Sequence, residues 1–458
     1  MTVTANPDLV DGVPRSRIAA ASMIGTTIEF YDFYVYATAA VVVFPQLFFP
    51  KSDPTTALLA SLATFGLAFV ARPLGSILFG HFGDRLGRKT TLIASLLTMG
   101  IATFLIGVLP TYQQAGLIAP ALLAVLRFSQ GLALGGEWSG AALLATETAK
   151  PGKRAFAGMW PQLGAPLGFL LANATFVVLV GWLGDDFLVW GWRLPFLLSI
   201  VMVAVGLYVR LRLTETPVFA RAIDTGQRVS APVIEVFRGS WRQLVIGTFV
   251  MVATYTLFYT VNTWTLSYGT AARPPHGTGL GYSYLDFLRL QLVGVLFLAA
   301  MLPVAAMLSD RFGRRPALLV FTAGIMVYGT TFGLFLNADT SMGAVLVFLI
   351  IGMTLMGLAF GPMSAVLPEL FPTNVRYTGS GIAYNAASIL GAAVAPFIAT
   401  WLATSHGVGW VGVYLSTAAA VSFVAVLVMR ETRDTALDDV TTDTVTIADH
   451  VGDALHPG

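Results

Sequence analysis

Residues 80–89 read Gly80-His81-Phe82-Gly83-Asp84-Arg85-Leu86-Gly87-Arg88-Lys89, and the heart of that string returns 226 positions later as Asp310-Arg311-Phe312-Gly313-Arg314. Each copy follows an apolar run long enough to cross a bilayer. Two further landmarks recur in the same order. Glu147 and Arg154 are matched by Glu369 and Arg376 at an offset of 222, and Glu215-Thr216 by Glu431-Thr432 at 216. Basic clusters alone would recur wherever loops face the inside of a membrane. An Asp-Arg-x-Gly-Arg string at matching places in two series of apolar runs has no such general cause, so the chain reads as two tandem halves.

Composition supports a membrane setting. Of 458 residues, 56% are hydrophobic and 11% charged, with a mean hydropathy of +0.76; soluble domains carry about 25% charge. At about 20 residues per span, apolar runs fall at 18–46, 55–80, 90–110, 117–144, 156–183, 193–212, 241–271, 286–308, 317–337, 342–367, 378–404 and 408–429. The fold class is therefore an all-α membrane protein of twelve transmembrane helices in two six-helix bundles. The domains follow: an N-terminal tail (1–16), a first bundle (17–212), a linker (213–240), a second bundle (241–430) and an acidic, disordered tail (431–458). The first span lacks a cleavage site and reads as a retained helix. Lys and Arg set the orientation: 20 of 26 fall on the side of the two termini and four on the other, which puts both termini in the cytoplasm.

Several function classes drop out. The absence of cysteine removes disulfides, thiolate metal sites and cysteine nucleophiles. A net charge of +2 gives nucleic-acid binding no support. The loop glycines lack P-loop spacing and its Lys-Ser/Thr ending. The five histidines (His81, His276, His406, His450 and His456) lie in loops, tails or span ends. No paired histidines, nucleophile elbow or metal cluster marks an enzyme, and neither metal nor cofactor is expected.

The loop string 80–89 is similar to the signature of the major facilitator superfamily. The strings Ile28-Glu29-Phe30-Tyr31-Asp32-Phe33, Arg127-Phe128-Ser129-Gln130-Gly131, Gly135-Gly136-Glu137-Trp138, Gly191-Trp192-Arg193-Leu194-Pro195-Phe196 and Leu367-Pro368-Glu369-Leu370-Phe371-Pro372 resemble, more narrowly, its metabolite:proton symporters. The resemblance runs from about residue 17 to 433. It implies two rocking halves, no cofactor, function as a monomer, and proton symport of a small polar solute such as a carboxylate, proline or a betaine. Related symporters pair a span 1 carboxylate with a span 4 arginine, a pattern that Asp32 and Arg127 match. The resemblance also implies a cytoplasmic latch from Gly80, Asp84, Arg85, Gly87, Arg88, Glu147, Arg154, Asp310, Arg311, Arg314, Glu369 and Arg376. Gly164-Ala165-Pro166-Leu167-Gly168 partly matches the antiporter signature of drug exporters and keeps proton-coupled export open as the alternative.

Charges inside a bilayer are costly and mark functional candidates. The first half concentrates them in Glu29, Asp32, Arg72, Arg127 and Glu137. At 100° per residue, Ser22, Gly25, Glu29, Asp32 and Tyr36 form one stripe, and Arg127, Gln130 and Glu137 share a side of span 4. Asp32, Glu29 and Glu137 are the proton-coupling candidates, with Arg127 as partner, and Arg72 reads as a structural anchor. In the second half, Tyr255, Tyr259 and Asn262 make an i, i+4, i+7 stripe, and Tyr384-Asn385 is a second polar pair. These residues, with Tyr36, Gln130 and Arg127, are the substrate-binding candidates, because tyrosine rings stack on quaternary ammonium groups and the amides orient a solute.

Overall fold

The computed structural model describes residues 9–10, 13–86, 88–150, 152–211, 232–274, 278–337, 339–372 and 375–434. A bilayer offers no water to backbone N–H and C=O groups, so apolar runs of this length satisfy them internally as helices. The long helices in chain order are α1 (Arg15–Val42), α2 (Pro54–Leu86), α3 (Arg88–Val108), α4 (Ile118–Glu147), α5 (Arg154–Leu183) and α6 (Gly191–Tyr208). They continue as α7 (Trp241–Thr270), α8 (Tyr284–Phe312), α9 (Arg314–Gly329), α10 (Met342–Glu369), α11 (Arg376–Ser405) and α12 (Val408–Val428). Among the described residues, nine are long and apolar enough to cross a membrane. The other three are α1, α3 and α9.

The sequence places the ninth span at 317–337, but α9 stops at Gly329 and a short turn, Phe332–Phe335, follows. Thr330 and Thr331 donate to the carbonyls of Val327 and Tyr328 at 2.7 Å. Hydroxyls bonded to the preceding turn in this way compete with continued helix.

The packing repeats as the sequence does. In the first half α2 packs on α4, α1 on α5, and α3 on α6; in the second α8 packs on α10, α7 on α11, and α9 on α12. The halves meet through α5 against α8 and α2 against α11, and these two contacts exchange when the halves are exchanged. α4 breaks at Gly135-Gly136 and α10 at Gly361-Pro362, 226 residues apart like the loop string. Wide π-helical turns interrupt α7 at Thr260–Trp264 and α11 at Ile389–Ala393. Such turns are rare and cluster at functional sites.

α1 is buried from Thr26 to Val41 apart from Phe30, so its polar residues sit in the interior on a helix surrounded by protein. Outside the described residues lie most of the N-terminal tail, linker residues 212–231, the tail from residue 435 and the side chains of residues 80–92, which include the latch candidates Gly80, Asp84, Arg85, Gly87 and Arg88. Leu9–Val10 and Val13–Pro14 form a two-residue antiparallel pair ahead of α1. Glu431–Arg433, read from sequence as the start of the tail, are built onto the second half: Glu431 accepts the N–H groups of Arg314 and Arg315 at 2.8 and 3.0 Å.

Candidate functional site

Arg127 is fully buried. Its guanidinium lies over the rings of Tyr36, Phe33 and Phe65 at 4.0, 4.4 and 4.9 Å, which attract a cation through the negative face of their π-systems. Its Nη1 donates to Gln130 Oε1 at 2.9 Å, and Gln130 Nε2 donates to Thr103 Oγ1 at 2.7 Å. Thr103 in turn neighbours Asp32. The direct Asp32–Arg127 ion pair expected from the resemblance is not formed; Gln130 and Thr103 link the two groups instead. Asp32 Oδ1 and Arg127 Nη2 are buried without a hydrogen-bond partner. Tyr36 is turned to Thr64 at 2.8 Å.

Arg72 comes closer to the centre than its reading as an anchor implied. It is 3% exposed and rests over Phe33 and Phe69 at 4.9 and 4.7 Å. Its Nε is buried with no hydrogen-bond partner. Around it, within electrostatic range, stand Tyr34 from α1, Tyr255 and Tyr259 from α7, and Tyr384 from α11. These four tyrosines help line a small cavity of about 20 Å³ between the halves, with Phe258 and Met251. That is space for about one water molecule, so the centre is shut. The larger cleft, about 480 Å³ beside Gly329 and Ser416, lies between α9 and α12 and carries no charged group.

Tyr255 and Tyr259 line the cavity as their spacing predicts, but Asn262 does not. It lies in the π-helical turn, which rotates it into the second half. There its carbonyl accepts Gln291 Nε2 at 2.6 Å and its Nδ2 contacts Met353 Sδ at 3.7 Å. Asn385 is engaged elsewhere, since its Nδ2 donates across the interface to the Gly135 carbonyl at 2.9 Å. Tyr377 does the same to Gly136. The break in α4 thus frees carbonyls that α11 satisfies. Gly135 is required here, since an added Cβ would overlap the Arg72 carbonyl. Glu29 lies within range of Tyr384 across the interface, and Glu137 accepts Ser95 Oγ at 3.1 Å.

Around these centres sit residues that the sequence reading did not assign. Trp138 stacks on Tyr384 at 3.9 Å and 5° and donates to Gln162 at 3.1 Å. Ser95 and Thr103 supply hydroxyls from α3 to Glu137 and Gln130. The signal for Trp138 was its place beside Glu137; nothing in the apolar pattern of α3 distinguishes its hydroxyls from those that bond their own helix.

At the end of the bundle that carries the basic loops, the halves are joined by a polar latch. Asp310 accepts the N–H groups of Ala155 and Phe156 at 3.1 and 3.0 Å, so it caps the start of α5 from the other half. Ser364 donates to the Gly158 carbonyl at 2.7 Å and Gln162 to that of Phe360 at 3.2 Å. Arg154 faces Glu369 at 3.8 Å. Within the second half, Arg314 joins Asp310 at 2.7 Å and Glu369 at 3.1 Å, and Thr432 donates to Glu369 at 2.7 Å. Arg376 is buried and donates to the Phe371 carbonyl at 3.3 Å. Arg311 offers its carbonyl to Arg433 at 2.9 Å, while Glu147 stays half-buried at the end of α4.

Comparison with known proteins agrees with this architecture. The family model of the Major Facilitator Superfamily matches residues 22–389. The inner membrane metabolite transport protein YhjE of Escherichia coli K12 is 53% identical over 425 residues, covering 92% of this chain and 96% of that protein. The proline/betaine transporter of the same strain is 33% identical over 447 residues, covering 94% and 86%. Among solved structures, the proton:xylose symporter XylE bound to 6-bromo-6-deoxy-D-glucose superposes with a TM-score of 0.72 at 17% identity, covering 94% of this chain and 98% of that one. The twelve helices in two six-helix halves are the fold of this superfamily, and the chain belongs to it.

Proposed function

We propose that this protein is a secondary active transporter of the cytoplasmic membrane that imports a small polar metabolite together with protons by alternating access. The solute is an organic acid or a zwitterion such as a betaine. The observation that carries this reading is Arg72, a buried guanidinium without an ion-pair partner among the described residues, within electrostatic range of the tyrosines that line a small cavity between the halves. A buried charge is costly until paired, and a solute carboxylate would pair it. The rings of Tyr255, Tyr259 and Tyr384 suit the cationic end of a zwitterion. The named relatives support the reading: one is a metabolite transporter of the inner membrane and another carries proline and betaine.

Asp32 is the proton carrier in this scheme. Buried and without an ion-pair partner among the described residues, it is accommodated with its proton aboard. Opening of one end lets water reach it and changes its proton occupancy. Glu29, near the Tyr384 interface, and Glu137 are the further coupling groups. The basic-loop end faces the cytoplasm, with both termini there, so the latch at Asp310 closes the inner gate, and the chain works as a monomer.

The test is solute-induced proton movement in proteoliposomes containing an internal pH dye. Carboxylates, betaines and amino acids are added outside, with protein-free vesicles as controls. Internal acidification by one solute is the expected result. Internal alkalinisation would replace symport by exchange.

A further inference from the structure

Just before α7 lies a short helix, Pro232–Gly239. One side of it is built into the protein: Val236 is fully buried, in one cluster with Leu244, Phe371, Val375 and Ala383. The other side is bare. Ile234, Phe237 and Trp241 are 55%, 56% and 54% exposed. Arg238 and Arg242 are exposed beside them. Neither forms a hydrogen bond or ion pair among the described residues, although Arg242 lies over the Trp241 ring at 5.6 Å.

Exposed apolar side chains along a span are ordinary, because lipid tails cover them. Here Ile234 and Phe237 precede the span, on an eight-residue helix, Trp241 is the first residue of the span, and two guanidiniums accompany them. Ile234 and Arg238 are four residues apart on this helix, a spacing that brings side chains together; after a non-helical Ser240, Trp241 and Arg242 follow at once in the first turn of α7. Trp241 opens α7 and so sits at the depth where aromatic side chains anchor to the headgroup layer. A basic, apolar-faced helix at that depth lies in the interface and attracts anionic lipid.

We propose that this face is a binding site for an anionic phospholipid, with Arg238 and Arg242 holding the headgroup phosphate and Ile234, Phe237 and Trp241 entering the acyl boundary. Two segments of the chain itself are the competing occupants. Residues 212–231 carry three arginines against one glutamate and one aspartate, which is poor complementarity to two arginines. Residues 435–458 carry five aspartates and no lysine or arginine, so they complement the charge, but they offer no reason for the aligned apolar residues.

The experiment is native mass spectrometry of the full chain, extracted from vesicles of phosphatidylcholine and phosphatidylglycerol. Phosphatidylglycerol should be retained in preference to phosphatidylcholine. Each interfacial arginine contributes about fivefold, so the double variant Arg238→Gln, Arg242→Gln should bind it about thirtyfold more weakly. The double Arg→Lys variant should keep most of the binding. Arg289→Gln, at an exposed arginine paired with Asp286, should leave it unchanged. Ile234→Ser with Phe237→Ser should reduce retention while the arginines remain. Equal retention by the wild-type chain and the double Gln variant would overturn the proposal. So would a rise in retention when the chain is ended after Asp434, which would make the acidic segment the occupant.

Discussion

Replacing Asp310 by Asn should open the basic-loop end of the molecule, and the size of the effect follows from sorting its contacts by half. The Asp310–Arg314 pair lies inside the second half and persists whether the gate is open or shut, so it cancels. The bonds from Ala155 and Phe156 at 3.1 and 3.0 Å cross the interface and exist only when it is closed. A hydrogen bond to a charged group contributes about 1.5–3 kcal/mol against about 0.5–1.5 for a neutral one. Asn keeps one acceptor oxygen, so one bond weakens and the other is lost. The attraction between the carboxylate and the start of α5 disappears as well, about 0.3–1 kcal/mol. A shift of about 2 kcal/mol toward the open state is a factor of about thirty. The chain has no cysteine, so Ala365→Cys supplies a single thiol. Ala365 is fully buried among Ala155, Met159 and Ala306, two of them in the opposite half. Its rate of modification by a water-soluble thiol reagent then follows the open fraction. The expected result is a rise of about thirtyfold on adding Asp310→Asn. A rate within about twofold of the parent would refute the reasoning, since it would mean that the cap on α5 does not hold the gate.

Three other outcomes follow from the same geometry. Arg72→Gln should raise the KM for a carboxylate solute by about thirtyfold or more, as loss of a buried charge contact does; Arg72→Lys should not restore it fully, because an ammonium cannot reproduce the planar guanidinium over two rings. An unchanged KM in flux assays would remove Arg72 from the solute site. Asp32→Asn should abolish uphill uptake and leave counterflow exchange, and accumulation driven by a pH gradient in that variant would remove Asp32 from coupling. Trp138→Ala deletes a ring stacked across the interface on Tyr384, worth about 0.5–1.5 kcal/mol beyond area. The Ala365→Cys thiol should then react about threefold to tenfold faster; no change would make the stack neutral to gating.

The fold was legible because its determinants are additive along the chain. Twelve apolar runs and a repeated Asp-Arg-x-Gly-Arg string require no knowledge of contacts, and the breaks in α4 and α10 recur at the same offset. The site was legible only where regular helix geometry held. Tyr255 and Tyr259 face the centre because α7 is regular through them; Asn262 leaves it because a π-helical turn intervenes, which the i, i+4, i+7 spacing could not reveal. Arg72 and Arg127 carry the same sequence signal, one cation in an apolar span. Which of them stands within range of Tyr255 and Tyr384 depends on the register of α2 against α4, set by Gly131 and Gly135 meeting Ala68 and Arg72 backbone. A pairing of Asp32 with Arg127 is what the resemblance to symporters with a span 1 carboxylate and a span 4 arginine implies. The amide of Gln130 and the hydroxyl of Thr103 take their place between them, and the aromatic rings around Arg127 supply part of the compensation that a carboxylate would give.

In the proposed transport cycle, the division of contacts at the latch lets a gate rich in charge open at modest cost. Separating two bare ions across an interface would leave each unpaired on first opening. Here Arg314 is already joined to Asp310 and Glu369 inside the second half, and Thr432 completes Glu369. Apart from the long Arg154–Glu369 pair at 3.8 Å, what crosses the interface is carboxylate to backbone N–H, hydroxyl to carbonyl and amide to carbonyl. Those groups pass to water when the halves part, so each bond lost is largely replaced, and the net cost stays near that of ordinary hydrogen bonds. The charged cluster therefore serves to fix Asp310 at the start of α5, while the bonds that break are individually weak and collectively cooperative. In the proposed cycle, two halves joined in this way exchange between discrete packings, because close-packed interfaces switch and do not stretch.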